Sequence, residues 1–81
     1  MEIRIRLGSG IAGLAPAPML SLDLPDGATV EDLYERLAVN HPDLAPALRS
    51  ALAVVHGAHV ERDRSLSNGD EVALLSPVSG G

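Results

Sequence analysis

The chain has 81 residues, with six basic residues against 11 acidic ones, a formal charge of −5 and no cysteine. That length holds one domain. The missing cysteine excludes disulfides, thiolate nucleophiles and cysteine-ligated metals, and the acidic balance repels nucleic acid and favours a partner with a positive docking surface.

All six basic residues are arginine, so the chain has no lysine, and its only aromatic residue is Tyr34. One ring is too little stacking surface for bases or a flavin. Hydrophobic residues still make up 46% of the chain, so the core is aliphatic and some apolar surface is left for a partner to cover. No apolar run approaches the roughly 20 residues that cross a bilayer. The N-terminal segment alternates and lacks a signal-peptide core, which leads us to expect a cytoplasmic protein without a membrane partner.

Residues 2–7 alternate strictly, with Ile3, Ile5 and Leu7 on one side and Glu2, Arg4 and Arg6 on the other. This is the pattern of a half-buried strand. Residues 8–18, rich in glycine and proline, read as a loop without helix or strand. Met19–Leu24 alternates again, with Leu20, Leu22 and Leu24 on the inner row, and a hairpin with the first strand is the economical pairing. Pro25-Asp26-Gly27 marks a turn. Thr29 is placed to cap a helix running from about Val30 to Asn40, with Asp32 at its third position. Val30, Leu33, Tyr34, Leu37 and Ala38 recur at helical spacing, and Pro42 stops the run.

Asp43 is expected to cap a second short turn through Leu44, Leu48 and Arg49. Leu52–His56 reads as a strand interior to a sheet, because its apolar residues fall on both faces. Gly57 turns the chain towards a short strand at Val60. Residues 61–66 are charged and read as a surface connection. Asn68-Gly69 is a left-handed turn signal, and Glu71–Leu75 is the last strand. The order implies an α+β fold with a mixed sheet of four to five strands wrapped over one main helix. A right-handed crossover through that helix would lay the third strand parallel to an existing one, and the last strand is expected inside the sheet. We divide the chain into a domain at 1–75 and a flexible tail at 76–81.

Few residues suggest chemistry of their own. His41, His56 and His59 lack the spacing of a metal site. The acidic pairs Glu31-Asp32, Glu61/Asp63 and Asp70-Glu71 suit solubility and docking, since a domain this small rarely forms a cleft that sets two acids against each other. The serines show no base–acid partnership. Gly8-Ser9-Gly10 lacks the remainder of a phosphate-loop pattern and reads as a plain turn. The tail is different. Gly80-Gly81 has no Cβ and can thread a narrow channel, Pro77 discourages continuation of the last strand, and Ser76 to Gly81 could extend roughly 20 Å.

Residues 68–81, Asn-Gly-Asp-Glu-Val-Ala-Leu-Leu-Ser-Pro-Val-Ser-Gly-Gly, resemble the C-terminus of the MoaD/ThiS family of ubiquitin-like sulfur carriers. In the family pattern a Gly-Asp-Glu-Val turn leads into a strand and a Pro-Pro-Val-x-Gly-Gly ending; here Ser76 replaces the first proline. The resemblance implies a β-grasp fold. It also implies that the Gly81 carboxylate is adenylated by an E1-like enzyme using ATP and converted by a sulfur donor to a thiocarboxylate. Gly80 would give backbone access, Pro77, Val78 and Ser79 would present the tail, and Asp70 and Glu71 would help to orient docking.

On this reading the protein is a non-catalytic sulfur carrier that binds no cofactor stably and delivers to a sulfur-accepting synthase. In the molybdopterin branch of the family that partner is the large subunit of molybdopterin synthase. Sulfur delivery towards thiamine, cysteine or a specialised metabolite is an alternative, as are a ubiquitin-like protein modifier and a non-covalent interaction domain.

Overall fold

Alternation in Glu2–Leu7 becomes strand β1, which buries Ile3, Ile5 and Leu7 and exposes Glu2, Arg4 and Arg6. Successive strand side chains point to opposite faces, so one apolar row suffices to seat the strand. The computed structural model of the protein describes residues 1–14 and 17–77. Strand β2 (Met19–Asp23) pairs antiparallel with β1, setting Ile3 opposite Leu22 and Ile5 opposite Leu20. Strands β3 (Leu52–Val55) and β4 (Ala58–Val60) form a second hairpin. Its turn residues, His56 and Gly57, take φ values of 53° and 77°, the left-handed geometry whose twist matches that of the flanking strands.

Strand β5 (Glu71–Leu75) completes a sheet of order β2-β1-β5-β3-β4. It runs parallel to β1 and antiparallel to β3. This corrects the expected pairing of the third strand: β3 has antiparallel partners on both sides, and the parallel pair is β1 with β5. The crossover sets β3 one strand-width beyond β1. The vacant slot then takes β5, which inserts Val72 and Leu74 into the core.

Helix α2 (Val30–Asn40) lies across one face of the sheet, burying Val30, Leu33, Tyr34 and Leu37. Its start is a capping box. The Asp32 amide donates to Thr29 Oγ1 at 3.3 Å and the Thr29 amide donates to Asp32 Oδ2 at 2.9 Å, so two otherwise orphan N–H groups are satisfied. The helix stops at Asn40, before the His41-Pro42 step that excludes helical geometry. The chain then makes a 3₁₀ turn (Pro42–Leu44) and a short helix, separated from α2 by that turn, at Ala45–Leu48.

Three local expectations need correction. A four-residue helix, α1 (Ser9–Ala12), stands within the stretch read as a loop, with Ile11 fully buried. One turn is too short to show periodicity, and burial of Ile11 holds it. Asp43 caps nothing: Pro42 occupies the first position of the 3₁₀ turn, and His41 O accepts from the Leu44 amide.

Residues 61–66 are also more than a surface connection. The Val30 amide donates to Arg64 O and the Glu31 amide to Arg62 O, while Leu66 is buried. Arg62 lies 4.3 Å from the Tyr34 ring centroid, pairs with Glu31 Oε2 at 2.6 Å and donates to Leu48 O at 3.0 Å. Charge hides this role in the sequence, because the aliphatic stem and planar head of arginine can cover apolar surface.

The Tyr34 hydroxyl donates to Ala51 O at 3.0 Å, joining α2 to the chain entering β3. Burial raises the Tyr34 pKa above its ordinary 10.0, against an opposing pull from Arg62 and with a smaller push from Glu31. The folded chain therefore keeps this proton at pH values where the unfolded chain has lost it. Stability is full below 10.0 and declines as the pH rises through the window above it. The chain has no lysine, no cysteine and no other tyrosine to obscure that window. Urea unfolding of Tyr34→Phe should show a loss of about 1 kcal/mol at neutral pH, from the missing buried bond, and a flatter alkaline decline than the unsubstituted chain.

Candidate functional site: the tail root and the open sheet face

Among the described residues, no helix covers the face of the sheet opposite α2. Its rows follow from the register: Met19 opposite Arg6, Arg6 beside Ala73, Ala73 opposite Val54, and Leu75 opposite Leu52. Leu52 is 40% exposed and Leu75 is 41% exposed, side by side at the end of β5. Towards the other end of this face, away from this apolar corner and at the start of β5, Arg6 Nη2 pairs with Glu71 Oε2 at 3.3 Å, and Arg4 and Ser21 stand exposed. A strand pair with adjoining half-exposed leucines presents a surface that a partner can dry.

Strand β5 brings the tail to this corner. Val72 and Leu74 are fully buried and hold the strand in the sheet centre. The ladder extends one step past β1, because the Gly8 amide donates to Leu74 O at 2.8 Å. Ser76 and Pro77 follow outside the strand, both exposed, and a proline lacks the N–H that would continue the pairing. Of the presentation residues named from sequence, Pro77 sits at this exit; Val78, Ser79, Gly80 and Gly81 lie outside the described residues.

The structure separates Asp70 from Glu71. Asp70 is buried, and its Oδ2 accepts from the Ser67 amide at 2.9 Å. Its Oδ1 lies 3.5 Å from His56 Nε2. The turn it braces is tied to β1, since the Glu2 amide donates to Asn68 Oδ1 at 2.8 Å and the Gly69 amide donates to Glu2 O at 2.8 Å. Asp70 is thus an internal brace with little charge to offer a partner, whereas Glu71 is part-exposed on the open face. Sequence reasoning missed the glycine-rich segment after β1, which abuts the tail root and had read as a plain turn. Only the adjacency of β1 and β5, a long-range fact, discloses it.

Among the described residues, no group of three or more His, Asp or Glu side chains is placed to hold a metal ion. No helix among them is long and apolar enough to cross a membrane.

The ThiS family pattern matches residues 14–81, and the chain belongs to this family of ubiquitin-like sulfur carriers. Members of the family carry sulfur without catalysing its transfer. Among curated relatives, the molybdopterin synthase sulfur carrier subunit of Chlamydomonas reinhardtii is 29% identical over 83 aligned residues, covering 100% of both chains. Among solved structures, SAMP1 from Haloferax volcanii, a small archaeal modifier protein, is 26% identical with a TM-score of 0.85, covering 100% of both chains. A putative molybdopterin converting factor subunit 1 from Pyrococcus furiosus is 25% identical with a TM-score of 0.85, covering 95% of this chain and 98% of that one. The fold is the β-grasp of these carriers.

The different placements of the two acids have a measurable consequence. Asp70→Ala should destabilise the domain by about 1–2 kcal/mol in urea unfolding, because the Ser67 amide loses its acceptor. Glu71→Ala should change stability by less than about 0.5 kcal/mol, its ion pair being solvent-exposed.

Proposed function

We propose that this protein carries sulfur as a thiocarboxylate on Gly81 and is the small, sulfur-carrying subunit of a molybdopterin synthase. One observation carries the reading: the strand that precedes the Gly-Gly ending is locked in the sheet centre and leaves it beside an uncovered apolar corner. A domain so built can dock by its sheet while the tail reaches past the contact.

The chemistry follows from the weakness of a carboxylate as an electrophile. An E1-like adenylating enzyme would use ATP to join the Gly81 carboxylate to AMP, with pyrophosphate leaving. The terminal sulfur of a donor's persulfide then attacks the acyl carbon and expels AMP. A thiol cleaves the resulting acyl disulfide, leaving a disulfide on the donor side and the thiocarboxylate on Gly81. Its sulfur is nucleophilic and tethered, so docking raises its effective concentration at the acceptor. Two glycines without Cβ atoms suit a slot too narrow for other residues. The catalytic groups for sulfur transfer belong to the large subunit.

The full-length likeness to a molybdopterin synthase sulfur carrier subunit favours this acceptor. A complex of subunits 1 and 2 of the molybdopterin-converting factor from Helicobacter pylori, whose fold this chain shares with a TM-score of 0.72, supports a two-subunit arrangement. Leu52 and Leu75 are the docking anchors, with Arg6 and Glu71 orienting the contact. A second reading, attachment of Gly81 to a target protein, is favoured by the likeness to SAMP1. Lacking lysine, the chain offers no side-chain amine on which to build polymers of itself.

Incubation with the activating enzyme, ATP and a sulfur donor should raise the intact mass by the exchange of one oxygen for one sulfur. Removal of Gly80-Gly81 should abolish the gain. No adenylate on the full chain overturns the proposal, and accumulation of target conjugates in place of thiocarboxylate selects the modifier reading. Leu52→Glu with Leu75→Glu should weaken binding to the large synthase subunit by at least about tenfold, since desolvated apolar anchors dominate such contacts, while leaving the melting temperature within a few degrees.

A further inference from the structure

Gly8 and Gly10 stand where the chain beyond β5 passes closest to α1. A Cβ on Gly8 would lie 3.0 Å from Leu75 Cδ2 and 3.1 Å from Leu74 O. A Cβ on Gly10 would lie 2.6 Å from Ser76 Oγ and 3.1 Å from Ser76 Cβ. Gly13, at the other end of the same helix, has nothing among the described residues within 4 Å of its Cβ position. Neither Gly8 nor Gly10 has positive φ, so what these two positions require is space. Alternate residues 8 and 10 thus form a flat rail beside residues 74–76.

The rail is anchored to the core, whereas Ser76 lies past the end of the ladder. Ile11 is fully buried and anchors α1 in the core. The Ile11 and Ala12 amides both donate to Gly8 O, at 2.9 and 2.8 Å. Leu74 is held by its bond from the Gly8 amide and by full burial. Ser76 is the first residue past the ladder and is exposed. A methyl group at position 10 therefore displaces Ser76, not the helix. Rotation of the Ser76 hydroxyl relieves the shorter contact but leaves the 3.1 Å approach to its Cβ, inside the separation at which carbons pack best, so Ser76 must give way slightly.

We infer that Gly10 is a positioning residue for the carboxylate end, setting the direction in which the chain leaves the sheet towards the activating enzyme's slot. This rests on the proposed thiocarboxylate chemistry. Gly10 touches no reacting atom; it acts through Ser76. Once the domain has docked by its open face, the exit direction decides how often the end of the tail meets the nucleotide, because small misplacements remote from the chemistry lower rates steeply.

The test is a double-substitution cycle with the full chain: Gly10→Ala, Ser76→Gly, both together, and Gly13→Ala as the control on the same helix. In adenylation with the activating enzyme, Gly10→Ala should lower kcat by about tenfold and leave KM within about twofold, because the docking face is untouched. In the Ser76→Gly background, the same change should alter kcat by less than about twofold, since the two sites act through one contact. Gly13→Ala should match the unsubstituted chain.

The second readout needs no activity. Backbone amide resonances of Leu75 and Ser76 should move in Gly10→Ala and stay in place in Gly13→Ala. Equal kcat losses in both backgrounds, a loss confined to KM, or resonance changes confined to residues 8–14 would each overturn the inference. If the unsubstituted chain is never adenylated, the proposed function falls and the kinetic role of Gly10 falls with it; the resonances still decide whether Gly10 directs the tail root.

Discussion

The parallel contact between the first and last strands is the constraint on which the domain depends. It joins Arg4–Leu7 to Glu71–Leu74, segments at opposite ends of the described chain. Closing so long a loop carries an entropic cost, though one that grows only logarithmically with length. Ile5 beside Val72 and Leu7 beside Leu74 offset it by burying apolar surface on the helix side of the sheet. Everything placed between them, the helix included, is organised around that closure. The same contact brings the exit of the final strand against the glycines that follow the first.

The sheet treats its two faces differently. One is sealed by α2 and by the strap carrying Arg62, with Tyr34 fastened to Ala51 O. A core with a single aromatic ring must rely on closely fitted aliphatic chains, and residues such as Ile3, Leu33, Leu37 and Val72 are all fully buried. The other face mixes arginine and glutamate with half-covered leucines, a combination suited to a contact that forms and dissolves. Stability is concentrated on the helix side, so substitutions on the open face need not disturb the fold.

Local order was legible where a short-range rule governed it. The bounds of α2, its Thr29–Asp32 box and the stop at Pro42 all follow from residues within a few positions of one another. So do the inner rows of β1 and β2 and the turns at Gly57 and Asn68-Gly69, although His56, read as the last residue of a strand, belongs to the first of those turns. The failures concern partners far along the chain. No local pattern says that β3 must leave a gap for β5, that Ile11 is fully buried, or that Arg62 bridges Glu31 and Leu48 O. The site divides in the same way. The terminal motif announced the family, but Asp70 looked like a surface charge because its neighbours Ser67 and His56 meet it only in the folded turn. Gly10 looked like punctuation because its closest neighbour is Ser76.

The central position of β5 also bears on how the molecule comes into being. Proteins are made from the amino end outward, and here the sheet cannot close until its last-made strand is available. Until then Ile5 and Leu7 lack the neighbour that covers their flank, and the β1–β2 and β3–β4 hairpins remain two unjoined pieces. Vectorial assembly on the ribosome is therefore of little use to this fold. The nascent chain must wait, holding apolar strand edges open to chaperones or to misjoining, and the segment that ends the wait is the one that leads into the Gly-Gly ending.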